Sequence, residues 1–476
     1  MKPLRTNNAG TILIQVLTFG VIALVFLGGI IAWAGSNIRL SKLGYQREVT
    51  IEIAEAGIEY YRWRLVHDPT DFQDGTNQPG PYVHQYDDVG GNRIGEFSLT
   101  ITPPAGGSNT AIVRSTGILD GAPAANRTIE VVLSQPSLAS YAVIGNTDLY
   151  FAENVTVNGR VHANGGIRFD GVANGLVTSA LSSYADPSHT GENEFAVHTH
   201  VPPIDPSPPA AVPTRADVFA GGRQFPAPAF DFDGITEDLA NIKAQAQLSG
   251  TYLPNSGSLG YHLILKKNDT IDVYAVTSLV PPPSVDCADT LGQSGWGTWS
   301  IATETLSSTI PLPANGALFI EDDLWIDGQI DTAQLTIGAA RFPENPTTYA
   351  NVTINSDLLY TNYNGSDIIG IIAQNNIHTG LVSADVLHID AALVAKKGRV
   401  GRYYYPAPYC SPYDTRLSLT LFGLIASNGI YGTRYNDGNG YQNRSISYDA
   451  NLLYAAPPYF PSTETAYDLV QWREIR

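Results

Sequence analysis

Residues 11 to 38 carry no ionisable side chain, and that run restricts the chain more than any other feature. It opens Thr11-Ile12-Leu13-Ile14-Gln15-Val16-Leu17 and continues through Phe26-Leu27 to Trp33. About 20 consecutive apolar residues in helical form cross the hydrocarbon core of a bilayer, so a membrane span over residues 11–35 is expected, with room for tilt. Lipid offers no partners to backbone N–H and C=O groups, so a single span must be helical. No helix breaker follows it. Ile51, Ala54, Ile58, Tyr61 and Leu65 step by three and four and form one apolar stripe, while Glu48, Glu52, Glu55, Glu59 and Arg62 step likewise on the opposite face. One helix over 11–67 therefore leaves the membrane and becomes amphipathic, and Asp68-Pro69 stops it.

Lys2 and Arg5 precede the span and favour a cytoplasmic N-terminus, with the bulk of the chain outside; Arg39, Lys42 and Arg47 on the far side weaken that bias. The apolar run is longer than that of a secretory signal, and its small residue, Gly10, stands before it rather than after it. A basic leader, then Gly10, then Thr11-Ile12-Leu13-Ile14-Gln15 opening a retained helix resembles the class III signal of type IV prepilins. The resemblance implies a leader over 1–10, cleavage by a prepilin peptidase between Gly10 and Thr11, and a methylated new N-terminus. Members of that family usually carry Phe where Thr11 stands and Glu where Gln15 stands, the glutamate being thought to pair with the N-terminal amine of a neighbouring subunit. Gln15 can accept a hydrogen bond but supplies no charge, a departure more typical of minor pilins and pseudopilins. Ile53-Ala54-Glu55-Ala56-Gly57-Ile58-Glu59 resembles the Ala-Glu-Ala-Gly block of minor pilins of the PilX type, where small residues let strands approach the helix. An uncleaved signal anchor is the alternative.

Beyond the helix the chain is strand-like. Residues 70–92 are turn-rich and read as loop. Gly95–Thr102, Ala111–Ile118 and Arg127–Leu133 alternate and are joined by short turns, which predicts a small antiparallel sheet covering the helix stripe, within a pilin-like head over 68–136. From residue 137 to 476 short runs such as Asn154–Asn158, Arg160–Ala163 and Ile368–Ala373 alternate with Asn-Gly turns at 158, 164 and 174, without crossover helices. That texture suits a β-solenoid, a parallel β-helix; no fixed period emerges, so a β-sandwich is the runner-up. A proline-rich stretch and a short amphipathic helix read as an insertion near 186–260, and a second insertion or edge hairpin reads near 281–309, extending back to Gly260. The fold class expected is α+β, mainly β. The C-terminal series Tyr448-Asp449, Pro457-Pro458-Tyr459-Phe460-Pro461 and Trp472-Arg473-Glu474 resembles the close of β-helical domains of unknown function attached to pilin-like N-termini in bacterial surface proteins, which implies a cap.

Few residues invite chemistry. A net charge of −18 with only 15% charged residues leaves no basic stripe for phosphates and argues against a nucleic-acid partner. The only cysteines, Cys287 and Cys410, either form one disulfide in an oxidising compartment or remain separate buried thiols. His198-Thr199-His200 places two imidazoles on one side of a strand, half of a zinc site, with no third donor at ligand spacing, so no metal and no cofactor is expected. Glu321-Asp322-Asp323 and Asp231/Asp233 could pair carboxylates as in β-helix enzymes that cleave acidic polysaccharides, though such clusters in an acidic chain are usually solvated turns. Asn436-Asp437-Gly438-Asn439-Gly440 is calcium-loop-like in composition but lacks a bidentate glutamate at the twelfth position. Tyr403, Tyr404 and Tyr405 either form an aromatic platform for a sugar or pack a loop.

The function expected is non-enzymatic: a large minor or tip subunit of a type IV pilus-like surface filament, displaying a β-helical domain for adhesion. Its partners would be other pilin subunits, the assembly machinery, the prepilin peptidase, the membrane before assembly, and a surface glycan or cell-surface receptor. It would reside as a single-pass cytoplasmic membrane protein before assembly and at the cell surface afterwards. A membrane-anchored β-helix enzyme acting on polysaccharide and a secretion-system pseudopilin are the alternatives.

Overall fold

The structure, a computed structural model, describes residues 9–104, 110–135, 138–153, 155–187, 193–232, 235–461 and 467–475. The chain divides into two compact units, one of residues 1–103, 111–133 and 471–476, the other of 104–110 and 134–470.

The first unit is built on α1 (Ala9–His67), which at 1.5 Å per residue is roughly 90 Å long. It ends one residue before Asp68-Pro69, and Asp68 N–H still donates to Arg64 O at 2.9 Å. The loop after it is tied back to the last helical turn. Arg64 Nε donates to Asp71 Oδ2 at 2.7 Å, Tyr61 OH to Asp71 O at 2.8 Å and Tyr60 OH to Asp74 Oδ1 at 3.2 Å.

Strands β1 (Tyr82–Asp87), β2 (Arg93–Thr102), β3 (Thr110–Leu119) and β4 (Arg127–Ser134) lie in chain order in one sheet, with the C-terminal strand Asp468–Ile475 beside β4. β1 and β2 pair antiparallel, as do β2 and β3. β1 falls inside the stretch read as loop. His84 and Gln85 break its apolar alternation, and the strand is held by its ladder to β2 and by the contact of His84 Nε2 with Asp74 Oδ2 at 2.6 Å. The C-terminal strand corrects the expected cap, since Trp472-Arg473-Glu474 belongs to this small sheet. Arg473 pairs there with Glu130, which also takes Arg114 Nε at 2.6 Å. Together these cations hold the Glu130 carboxyl below its usual range, against the opposing effect of burial.

The second unit is mostly β, with parallel strands. One ladder runs Thr251–Leu253, Ala317–Ile320, Gln334–Ala339, Ile368–Ala373, Val386–Ala395, Thr415–Ser427, Val143–Gly145, Val161–Ala163, Val177–Ser179 and Arg223–Gln224, each strand parallel to the next. Spatial order departs from chain order. The strands of 143–224 stack on the last long strand, and the chain then passes through α2 (Ile235–Ser249) to begin again at the far end of the ladder, at Thr251. A second ladder joins Gly260–Lys266, Leu324–Gln329, Val352–Thr353, Ile377–Thr379 and Val400–Arg402. Alternate residues of these strands, among them Val143, Val161, Val177, Ile337, Ile371 and Leu393, form one buried core. The outer face of the first ladder is also apolar, and Leu239 and Ile242 of α2, Leu452 and Phe460 cover it. The Tyr448–Pro461 series thus seals a lateral face.

Asparagines at strand ends bond to one another across successive strands. Asn146 Nδ2 donates to Asn428 Oδ1 at 2.7 Å, and Asn164 Nδ2 to Asn146 Oδ1 at 2.6 Å. Asn174 Nδ2 donates to Asn158 Oδ1 at 2.6 Å. The segment read as an insertion near 186–260 contributes ladder strands at Val197–His198 and Arg223–Gln224. Within the segment read as a second insertion or edge hairpin, Gly260–Lys266 and Thr270–Leu279 form an antiparallel hairpin, with Ile301–Pro311 as its third strand.

Candidate functional site

The helix is the first candidate. From Ile12 to Ile38 almost every side chain is exposed, including Leu13, Leu17, Leu24, Phe26 and Ile31, and this is the one helix among the described residues long and apolar enough to cross a membrane. Thr18 donates its hydroxyl to Ile14 O at 2.7 Å, so its polarity is satisfied within the helix. Gln15 is exposed on this apolar surface. Gly10 and Thr11 lie in the first turn of α1, and residues 1–8 of the expected leader lie outside the described residues.

From Thr50 onward one face is buried: Thr50, Ile53, Ala54, Gly57, Ile58, Tyr61 and Leu65. Ile53, rather than the expected Ile51, occupies the core face; Ile51 is half-buried. Burial of each large aliphatic side chain here is worth about 1.5–3 kcal/mol. Two glycines set how closely the sheet approaches. A Cβ on Gly57 would come inside 3.0 Å of Ser115 Oγ and Phe97 Cδ2, and one on Gly117 would come inside 3.0 Å of the Thr50 carbonyl and the Ala54 amide. The Ala56-Gly57 step is thus where β2 and β3 meet the helix. Glu48, Glu52, Glu55 and Glu59 face solvent.

Cys287 and Cys410 are joined in a disulfide, 123 residues apart in sequence, and are buried in a cluster with Leu381, Tyr403 and Tyr405. Tyr403 donates to Ser294 O at 3.2 Å and Tyr405 to Gly297 O at 2.9 Å, so both rings are spent on packing this loop. Only Tyr404 keeps partial exposure, with its hydroxyl on Asp437 Oδ2 at 2.6 Å; the three rings therefore present no common platform to solvent. Asp437 and Asn439 of the calcium-like loop are engaged internally: Asp437 Oδ1 accepts from Asn439 N–H at 3.0 Å, and Asn439 Oδ1 from Tyr405 N–H at 3.2 Å. Asp322 is buried, accepts from Ser256 N–H at 2.8 Å and pairs with Arg341, which also reaches Asp323 at 2.9 Å. These carboxylates are structural counter-ions. Asp231 is exposed, and Asp233 lies outside the described residues.

His198 and His200 gain a partner that sequence spacing did not reveal. Asp186 Oδ2 lies 3.2 Å from His198 Nε2 and 3.5 Å from His200 Nε2, and the two Nε2 atoms are 3.2 Å apart. The His198 side chain is 1% exposed, that of Asp186 5% and that of His200 13%. His198 Nδ1 stands 3.1 Å from Phe195 O, an acceptor that favours a proton on that nitrogen, while Nε2 faces Asp186 and His200. Burial pushes the His198 imidazole below its ordinary pKa, against the pull of Asp186. The backbone of the motif is fixed as well. His200 N–H donates to Asp170 Oδ1 at 2.8 Å and Thr199 N–H to Asp205 Oδ2 at 3.2 Å.

No family model matches the chain, and no curated protein matches it. Among solved structures, the competence-associated pilin ComZ from Thermus thermophilus is similar at 16% identity, with 90% of this chain and 97% of that one covered and a TM-score of 0.32. Identity and overlap at that level transfer no role to individual residues.

Two buried centres carried no sequence signal. His262 sits between Glu304 Oε2 at 2.8 Å and Asp327 Oδ2 at 3.1 Å; burial lowers its pKa, but Asp327 and Glu304 outweigh that and hold it above its ordinary value. Arg402 is buried with no carboxylate partner among the described residues, donating to Ser383 Oγ at 2.8 Å and to the carbonyls of Leu381 at 3.0 Å and Tyr413 at 2.7 Å. Its guanidinium lies over the rings of Tyr405 and Tyr441. Long-range strand pairing assembles both, which is why local spacing is silent about them.

Proposed function

We propose that this chain is a non-enzymatic, type IV pilin-like subunit whose α1 anchors it in the cytoplasmic membrane and is then reused for packing among other pilin helices. The observation that carries the reading is the division of one continuous helix. Its uncharged half is exposed from Ile12 to Ile38, and its second half is buried against a small antiparallel sheet. An exposed apolar helical surface of that length has two stable environments, lipid and other apolar helices. Leader removal between Gly10 and Thr11 by a prepilin peptidase would free the second option, and Gln15 would supply a neutral hydrogen-bonding group where the repeating subunit carries a charge, as in a minor or tip subunit.

The larger unit is read as a parallel β-helix from residue 137 up to the C-terminal strand, which joins the small sheet instead, and its parallel ladders support that reading, since a sandwich is built from antiparallel pairs. Displayed outside the cell, it would serve adhesion to a surface glycan or receptor. The ion-paired state of Asp322 and Asp323 favours the non-enzymatic reading over polysaccharide cleavage.

The test is mechanical shearing of the source cells, with this chain assayed in the released filament fraction. The reading expects it there together with other pilin subunits, and expects Gly10→Val to hold it in the membrane fraction. Equal amounts of wild type and Gly10→Val in the released fraction would contradict it.

A further inference from the structure

The three donor atoms of Asp186, His198 and His200 have the dimensions of a metal site. A tetrahedral zinc ion with bonds of about 2.0–2.1 Å has ligand-to-ligand edges of about 3.3 Å, whereas an octahedral face at the same bond length has edges of about 2.9 Å. The edges here are 3.2, 3.2 and 3.5 Å, which match the tetrahedron. We propose that Asp186 Oδ2, His198 Nε2 and His200 Nε2 form three corners of a tetrahedral zinc site in the larger unit, leaving the fourth corner to water or a further donor.

Chemistry and support both favour this assignment. Two imidazoles with one carboxylate are a zinc donor set, and hard cations such as calcium and magnesium take oxygen ligands instead. The Phe195 carbonyl on His198 Nδ1 is the outer hydrogen bond that fixes a ligating histidine's tautomer and aims its other nitrogen at the metal. Asp170 and Asp205 hold the His198-Thr199-His200 backbone, so the imidazoles are positioned before any ion arrives. His200 follows two residues after the last residue of the strand Val197–His198, and its ring stands beside that of His198 with centroids 5.0 Å apart. Asp186 stands 12 residues before His198 in the sequence, so an ion there would tie these two positions together directly. Bound there, the ion would stabilise this part of the chain, and its fourth corner distinguishes it from a closed four-ligand site.

The test uses the full-length chain purified in detergent and stripped of metal, titrated with Zn2+ and, as a spectroscopic probe, with Co2+. The expected result is one equivalent bound, with the intense visible bands of tetrahedral cobalt, and a melting temperature raised by Zn2+. His200→Gln, the most exposed of the three positions, should keep the fold by circular dichroism yet bind more than roughly 100-fold more weakly, because loss of an outer-shell partner alone typically costs 10–100-fold. Asp186→Asn should abolish the Zn2+-dependent rise in melting temperature. Failure of wild type to bind, octahedral cobalt spectra, or identical titrations for wild type and His200→Gln would each overturn the assignment.

Discussion

Breaking the Cys287–Cys410 disulfide is the perturbation whose size follows most directly from the structure. The bond closes a loop of 123 residues. In the chain-entropy treatment such a link removes about 16 cal/mol/K from the unfolded ensemble, or about 5 kcal/mol at 25 °C. The bond lies inside a buried cluster with Leu381, Tyr403 and Tyr405, flanked by Trp296 and Trp299, so the native loops remain packed when it is cut. The effect therefore falls mainly on the unfolded state. At roughly 2 °C per kcal/mol for a large domain, the reduced chain should melt about 10 °C lower than the oxidised one. The comparison is best made on the same protein before and after reduction, with thiol alkylation and mass spectrometry to establish that both cysteines are free. Cys287→Ala/Cys410→Ala should match the reduced form, less a small packing loss. Superimposable melts of oxidised and fully reduced protein would refute the reasoning.

Further outcomes follow from other contacts. Gly117→Ala drives a methyl group into the Thr50 carbonyl, so it should destabilise the first unit by about 1–3 kcal/mol, read as faster proteolysis around residues 50–65. Arg341→Met leaves buried Asp322 without its counter-ion and should cost about 3–5 kcal/mol in the melting of the larger unit. His378 is fully buried, and burial pushes its pKa down to about 3. The unfolded chain binds that proton near pH 6.5 and the folded chain does not, so stability falls as pH drops from 6.5 toward 3, by roughly 2 kcal/mol at pH 5. His378→Leu should lose that part of the acid sensitivity in pH-dependent melting curves; unchanged curves would remove His378 as its source.

The helix was the most legible element because its signals are local. The uncharged run and the three-four stepping of Ala54, Ile58, Tyr61 and Leu65 lie within one continuous segment, and the only slip in the stripe, Ile51 for Ile53, leaves those four positions in place. Strands β2 to β4 were legible from alternation, whereas β1 was hidden by His84 and Gln85, whose ladder partners Phe97 and Glu96 lie in β2 while the His84 side chain meets Asp74 of the preceding loop. In the larger unit the strands could be read but their order could not. Nothing local tells Val143–Gly145 to stack on Thr415–Ser427. Asn164-Gly165 is legible as a turn, but nothing local shows that Asn146, Asn164 and Asn428 bond to one another across parallel strands. The histidine pair showed half of its cluster for the same reason. Asp186 arrives through the path of the chain, at a distance along it that no spacing rule covers.

The account rests on α1 being a processed assembly helix rather than a permanent anchor. The most direct measurement is the intact mass and N-terminal sequence of the chain recovered from the cell surface. A chain beginning at Thr11, with its new amine methylated, is the predicted result; a surface chain still beginning at Met1 contradicts it.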